Sequence, residues 1–540
     1  MGNLRPMTAP DLTTAASVID LAHGVVDDGI RHIATTGGPD VNQVVAYDIA
    51  HAASAVETGR AMLVYGTKGE LEAKIACAYI ADAVGELIPK LFGREADWNI
   101  TPGVLDGTRE FVSSFRAPEF LASLADTPGP RHLESDFEMV QDTFRRFANE
   151  KIAPVAEHIH RENLDIPEDL IQGLAELGGF GLSVPVEYDG YSEGGESEYM
   201  GMVVATEELA KVSLGAGGSL ITRPEILTRA LLAGGTEAQR REWLPKLASA
   251  EVMAAVAVTE PDYGSDVAGV KATATPTDGG WLINGVKTWC TFGARADALM
   301  LLARTNTDKS LTHKALTMFV VPKPRGEGHG FAFVQEAGTD GGAPGGGKME
   351  GRAIDTIGYR GMHSYEIAFD NWFVSEANQV GGDEGLGKGF YYQMAGFENG
   401  RLQTAARAVG VMQAAYEDAH QYALDRVVFG QPIAEYQLTQ AKLGRMVVLT
   451  QAARQFSYEV AKMMANGGGI LEASMVKAYV CKAAEWVTRE AMQIHGGFGY
   501  AEEYSVSRYF VDARVLSIFE GADETLCLKV IARRMLDAVK

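Results

Sequence analysis

Ala298-Leu-Met-Leu-Leu-Ala303 and Leu316-Thr-Met-Phe-Val-Val321 are short, continuous apolar runs bounded by turn residues, the pattern of buried strands. Just upstream, Trp281-Leu-Ile-Asn-Gly-Val286 carries an Asn-Gly pair, which predicts a hairpin turn. These runs define a β block from Val252 to about Val374. On either side the apolar spacing is helical, from Asp136 to about Glu251 and from Gly389 to Lys540. Residues 11 to about 95 are helical as well, as in Ile49, Ala52, Ala53, Val56 and Ala61. Strands gathered in one block between helical blocks predict an α+β chain, not alternating βαβ units. That counts against a doubly wound dinucleotide-binding sheet. The predicted organisation is a helical extension (1–95), a Pro-, Gly- and Asp-rich linker (96–135), a helical domain (136–251), a β domain (252–375) and a helical bundle (376–540).

The 540 residues suffice for several cores, and 46% hydrophobic with 22% charged residues is ordinary globular composition. A net charge of −23 opposes general binding to nucleic acid or anionic membrane. The four cysteines, Cys77, Cys290, Cys481 and Cys527, form no C-x-x-C pair and read as reduced thiols, with no metal site expected. The opening Met1-Gly-Asn-Leu-Arg-Pro6 leads into no apolar run of secretory length, and Pro6 stands where myristoylation needs Ser or Thr. No stretch is long enough to span a membrane, so a cytoplasmic location is expected. Gly342 to Lys348 fits G-x-x-x-x-G-K, but Met349 occupies the Mg²⁺-binding Ser/Thr position, so the segment reads as a surface loop.

Residues 52–83 can be laid on 452–483 without a gap, with Ala52, Ala53, Ala61, Gly69, Leu71, Glu72, Ala73, Ala78, Tyr79 and Ala83 all matching. Either the N-terminal region copies part of the C-terminal bundle, or two Ala-rich helices share composition.

Two segments point to a planar cofactor. Ala257-Val-Thr-Glu-Pro-Asp-Tyr-Gly-Ser-Asp-Val-Ala-Gly269 is rich in backbone donors and carries the hydroxyls of Thr259 and Ser265; by itself it is equally a capped turn. In Lys287-Thr-Trp-Cys-Thr-Phe-Gly293, Trp289 and Thr291 are two apart and so share a face of a regular strand. An aromatic face beside a hydroxyl suits a flavin, although an isolated Trp is more often core.

Together these segments resemble the acyl-CoA dehydrogenase family over about residues 136–540. Further matches follow in the family's order: Phe397-Glu-Asn-Gly-Arg401, Arg426-Val-Val-Phe-Gly430, Gln437, Gln493-Ile-His-Gly-Gly-Phe-Gly-Tyr500 and Ile518-Phe-Glu-Gly521. The resemblance implies a helical N-terminal domain, a central β-barrel-like domain and a C-terminal four-helix bundle, with FAD as cofactor. It assigns Val258, Thr259, Ser265, Trp289 and Thr291 to the flavin. It assigns Arg426, Phe429, Gln437, Gln493, Gly496 and Gly497 of a neighbouring subunit to its pyrophosphate and adenosine. A guanidinium such as that of Arg426 can bind a phosphate bidentately; without FAD, Gln493–Gly499 would be an ordinary Gly-rich helix end.

The sequence departs from the family at Tyr263, where a small residue is usual, and at Ser505, where Pro is frequent. One extra residue after Gly521 blurs the expected flavin contacts of Ala522 and Asp523.

The family's catalytic base sits in Y-E-G-T in most members, which places it at Glu520. The alternative base position falls on Gly400, with Glu398 two residues too early. The chemistry requires a polarised thioester carbonyl, a carboxylate over the α-carbon in apolar surroundings, and a hydride acceptor facing the β-carbon. The resemblance further assigns Ser265, Phe397, Arg401 and Gly521 to substrate binding, and implies electron-transfer flavoprotein as acceptor.

In Leu220-Ile-Thr-Arg-Pro-Glu-Ile-Leu227, Arg223 replaces a frequent His; it is suited to a carboxylate at the far end of the acyl group, or to an ion pair with a residue such as Glu225. Asp48-Ile-Ala-His-Ala-Ala-Ser54 and Gly69-Glu-Leu-Glu-Ala-Lys-Ile-Ala76 resemble the methylsuccinyl-CoA dehydrogenase branch of the family. That branch forms mesaconyl-CoA in the ethylmalonyl-CoA pathway. The extension is also expected to cover the face through which dimers pair, leaving a homodimer. Rival readings are a branched- or medium-chain acyl-CoA dehydrogenase, an oxidase that reduces oxygen directly, and a non-enzymatic nucleic-acid-binding member. Glu520 and the acidic charge oppose the last.

Overall fold

The strand and helix periodicities resolve into two compact units in the computed structural model, which describes residues 8–338 and 343–540, apart from the Lys309 side chain. Met1–Met7, and Gly341 and Gly342 at the start of the Gly-rich segment, lie outside the described residues. One unit comprises residues 1–139 and 404–540, the other residues 140–403.

In the unit of residues 140–403 the strands are β1 (Ala254–Ala257), β2 (Thr273–Thr277), β3 (Gly280–Thr291), β4 (Ala298–Arg304), β5 (Leu316–Pro322), β6 (Gly330–Gln335), β7 (Gly347–Ile354) and β8 (Ser364–Ser375). They form one eight-stranded sheet in the order β1-β4-β2-β3-β8-β7-β6, with β5 also on β4. The apolar runs are β4 and β5; they pair antiparallel, Ala298 to Pro322 through Arg304 to Leu316. Met300, Leu302, Met318 and Val320 meet Leu227, Leu231, Leu244 and Leu247 of the preceding helices in one core. Full burial of each such side chain stabilises by about 1.5–3 kcal/mol. The helix Glu237–Ala248 starts with a capping box in which Thr236 and Gln239 satisfy each other's backbone N–H groups.

The Asn-Gly pair does not make a hairpin. Asn284 and Gly285 lie inside β3, where the register with β8 shifts. Gly285 has φ +135°, and a Cβ there would sit 2.8 Å from Ala272 Cα, so the pair forms a bulge. Asn284 is held by Asn371, through Nδ2 to Oδ1 at 3.1 Å and Asn371 N–H to Oδ1 at 2.9 Å. The turn falls earlier, at Asp278-Gly279 between β2 and β3, with Gly279 at φ +74°.

In the other unit, the helices Leu12–Thr35, Gln43–Gly66 and Glu70–Leu91 pack on one another, and the last two pack on Gln437–Ala465 and Ile470–Ile494. Residues 96–135 are not a loose linker. They carry the short helices Arg109–Phe115 and Pro118–Ala122, whose Phe111, Phe115 and Phe120 are buried with ring centroids 4.6 and 5.0 Å apart. A Cβ on Gly444 would meet the Leu121 carbonyl oxygen at 1.9 Å, so only glycine allows this segment onto the bundle. Pro and Gly set the turns here, and the three phenylalanines supply the packing.

The two segments that match at a spacing of 400 are both helical hairpins, with Gly69 and Gly469 each preceding the second helix. Tyr79 and Tyr479 stand edge to face at 5.8 Å. Equivalent residues touching each other is the mark of a two-fold contact, here internal to one chain.

Candidate active site

Glu520 lies in a turn between the helix Ser505–Leu516 and the short helix Asp523–Thr525, with Glu520 at φ +52° and Gly521 at φ +104°. A left-handed glutamate costs roughly 1 kcal/mol or more and persists only where its surroundings fix it. The anchors are visible. Lys477 Nζ donates to the Gly521 carbonyl, the Asp523 N–H donates to the Ser517 carbonyl at 3.1 Å, and Ser517 Oγ donates to Glu485.

The carboxylate itself is held by two residues that the sequence motifs did not single out. Thr404 Oγ1 donates to Oε2 at 2.9 Å, and Arg407 Nη2 donates to Oε1 at 2.8 Å. Arg407 is fully buried, also donates to Thr404 Oγ1 at 2.9 Å, and stands over the Phe519 ring at 4.9 Å. A buried cation is costly unless paired, so Arg407 and Glu520 stabilise each other's charge. Arg407 stands three positions after Thr404, which puts both on one helix face. That spacing, with an arginine inside an apolar helical stretch, was the signal available in the sequence.

The same unit holds the residues expected to reach the pyrophosphate and adenosine. Arg426, Gln437, Gln493, Gly496 and Gly497 are exposed. Phe429 is 95% exposed with φ +53°, at the tip of a hairpin braced by the Tyr436 hydroxyl donating to the Val428 carbonyl at 2.7 Å. The helix end at Gln493 is fixed by His495, stacked on Tyr422 at 4.2 Å. Ala522 is half-buried, and Asp523 is buried at 3% exposure. The Asp523 carboxylate accepts hydrogen bonds from Tyr47 and His51 of the N-terminal extension.

In the other unit, a buried ion pair joins the two segments expected to hold the flavin. Lys287 Nζ on β3 donates to Glu260 Oε1 at 2.8 Å and to the Val258 carbonyl at 3.0 Å. Glu260 also accepts the Lys271 and Ala272 N–H groups at 2.7 and 2.8 Å, and the Thr288 N–H donates to the Thr259 carbonyl at 2.8 Å. Burial pushes the Lys287 ammonium down, against the pull of Glu260.

This brings Val258 and Thr259 beside Trp289 and Thr291; Ser265 is exposed in the same loop. Regular strand alternation does not place Trp289. The β3–β8 register shifts between Lys287 and Cys290, and Trp289 has φ +55° with 55% of its surface exposed. Thr291 Oγ1 is hydrogen-bonded to Ser364 Oγ at 3.0 Å. A large ring held outward by a strained backbone, next to hydroxyls and backbone donors, fits the flat face and polar edge of a flavin.

Arg223 is buried, its Nε donating to the Ser219 carbonyl at 3.0 Å and its Nη2 directed to Thr222 Oγ1 at 3.5 Å. Glu225 is taken by Arg229 at 3.4 Å and by Asn399 Nδ2; burial pushes its carboxyl up. Arg401 is buried and Phe397 half-buried, on the helix Gly389–Asp425 that also carries Thr404 and Arg407.

Profiles described as the acyl-CoA dehydrogenase N-terminal, middle and C-terminal domains match residues 134–251, 255–372 and 387–536. The chain belongs to the acyl-CoA dehydrogenase family. It has that family's fold and is an FAD-dependent oxidoreductase. It is 36% identical to a (2S)-methylsuccinyl-CoA dehydrogenase of Cereibacter sphaeroides, over 99% of both chains. A glutaryl-coenzyme A dehydrogenase solved with glutaryl-CoA is 30% identical, with TM-score 0.66, covering 75% of this chain and 96% of its own. A chain in a structure described as the electron transferring flavoprotein of Acidaminococcus fermentans is 27% identical, with TM-score 0.65, covering 75% of this chain and 98% of its own. Among the described residues no helix is long and apolar enough to cross a membrane.

Proposed function

We propose that the chain desaturates (2S)-methylsuccinyl-CoA to mesaconyl-CoA, as in the ethylmalonyl-CoA pathway, with Glu520 taking the α-proton. The observation that carries this reading is the similarity to a dehydrogenase of that substrate across 99% of the chain, extension included. The buried Arg407 on the Glu520 carboxylate supports it, because a thioester that brings its own free carboxylate supplies a second anion for the same guanidinium. Pairing with the substrate carboxylate would free Glu520 to accept a proton. Arg223 carries over from the sequence as a proposed cation for a substrate carboxylate.

Val258, Thr259, Ser265, Trp289 and Thr291 would hold the flavin, and Arg426, Phe429, Gln437, Gln493, Gly496 and Gly497 of a neighbouring subunit its phosphates and adenosine. Ala522 and Asp523 carry over to this set as proposed flavin contacts, the Asp523 carboxylate being held by Tyr47 and His51. When bound, FAD supplies the acceptor for the β-hydride. Phe397, Arg401 and Gly521 would line the acyl site. Electron-transfer flavoprotein is the proposed electron acceptor and the cytoplasm the proposed location. The internal two-fold contact through Tyr79 and Tyr479 supports a homodimer, in which the extension would cover a bundle face otherwise open to pairing.

Anaerobic mixing with methylsuccinyl-CoA tests the substrate. Bleaching of the flavin absorbance is expected with the wild type and not with Glu520→Gln. A wild type bleached only by butyryl-CoA or isovaleryl-CoA would move the assignment to another acyl group.

A further inference from the structure

The extension does more than cover the bundle, because two of its side chains end on the loop that carries the base. Tyr47 and His51, one turn apart on the helix Gln43–Gly66, meet with ring centroids 4.7 Å apart. Tyr47 Oη donates to Asp523 Oδ2 at 2.5 Å, and His51 Nε2 lies 3.1 Å from the same oxygen. Lys482 Nζ is 3.6 Å away, and Cys527 Sγ is 3.9 Å from the other oxygen. Burial would raise the Asp523 carboxyl, but His51, Tyr47 and Lys482 together hold it down to about 2. Burial also pushes the Cys527 thiol far up and keeps it neutral.

Asp523 is three residues from Glu520, and its N–H closes the loop onto the Ser517 carbonyl. Glu520 and Gly521 are consecutive left-handed residues, a conformation that must be held from outside. The bundle contributes Lys477, Thr404 and Arg407; on the far side of the loop the hold on Asp523 comes from Tyr47 and His51 of the extension, with Lys482 of the bundle beside them. Tyr47, Asp48 and His51 open a stretch of the extension that has no counterpart in the family's own domains, which begin at residue 134.

We infer that Tyr47 and His51 are positioning residues, clasping Asp523 so that the Glu520 loop keeps the conformation that presents the base. The inference rests on Glu520 being the base of an acyl-CoA dehydrogenase, and its test separates the two. The test compares the full-length FAD-loaded enzyme with Tyr47→Phe/His51→Ala, with Tyr47→Phe/His51→Gln, and with Tyr65→Phe. The last removes a hydroxyl that donates to the Pro130 carbonyl from the same helix, away from the loop.

In the Ala double variant, amide hydrogen exchange over residues 517–526 is expected to quicken about tenfold while the helix Ile470–Ile494 is unchanged. The kcat for the thioester is expected to fall about tenfold with KM within about twofold, and Gln at position 51, which restores a donor, to recover most of it. Tyr65→Phe should alter neither reading. Unchanged loop exchange overturns the inference. So does quickening spread evenly over the unit with kcat and KM moving together. If the wild type turns over no acyl-CoA, the functional reading is what fails, and loop exchange alone decides the clasp.

Discussion

The hairpins Gln43–Leu91 and Gln437–Ile494 have the same architecture, meet through equivalent tyrosines, and serve different ends. The C-terminal one runs on into the exposed Gly-rich turn Gly496–Tyr500 and then to the strained loop of Glu520. The N-terminal one runs on into short helices buried by Phe111, Phe115 and Phe120. Phe429 and Tyr500, which flank the C-terminal hairpin, are 95% and 85% exposed, whereas within the hairpins Tyr65, Tyr79 and Phe456 are buried at 1% each. The difference teaches that an α-hairpin is a packing unit. Its chemistry comes from the loops attached to it and from the polar groups it directs at them.

The comparison can be broken most severely at Glu520. Replacement by Gln is expected to lower kcat by about 10³-fold with the FAD spectrum retained, because it removes the proposed proton acceptor and little volume. Steady-state turnover with an artificial acceptor measures it.

Next is the contact between the hairpins. Tyr79→Ala should cost about 3 kcal/mol in denaturant unfolding, and combining it with Tyr479→Ala should fall short of additivity by about 1 kcal/mol. Full additivity would mean that the two-fold contact is incidental.

Arg407→Met should lower kcat/KM for methylsuccinyl-CoA about thirtyfold, and for butyryl-CoA by much less, since only the first brings a carboxylate. Equal losses on both thioesters would confine Arg407 to holding Glu520.

The smallest effect expected is at Asp523. Its folded carboxyl lies at about 2, below the ordinary 3.8. Its clasp therefore contributes stability above about pH 4, lost as pH falls towards 2. Acid unfolding curves of the wild type and Asp523→Asn should converge over that window.

The order of helical and β blocks was legible in periodicity alone, and the strands β4 and β5 stand where continuous apolar runs predict them. Asn284-Gly285 misled, because the pair that favours a two-residue turn also tolerates the positive φ of a bulge, and only the neighbouring strand β8 decides between them. The 96–135 segment misled for a related reason. Its Pro and Gly residues report local turns, while the burial of its three phenylalanines depends on the bundle they meet. The spacing of Trp289 to Thr291 predicts a shared strand face, but the outward setting of Trp289 comes from a bulge and not from strand alternation.

The sequence by itself determined the family and the cofactor class, because ordered motifs record groups that must touch the same ligand whatever surrounds them. Only the tertiary structure decided what holds those groups. Arg407 and Thr404 reach Glu520 from more than a hundred residues away in the chain, and Tyr47 and His51 reach Asp523 from more than four hundred. No local pattern encodes such partners. A buried charge accepts whichever donor the packing brings to it, and the packing is fixed by the apolar faces of helices that are distant in the chain.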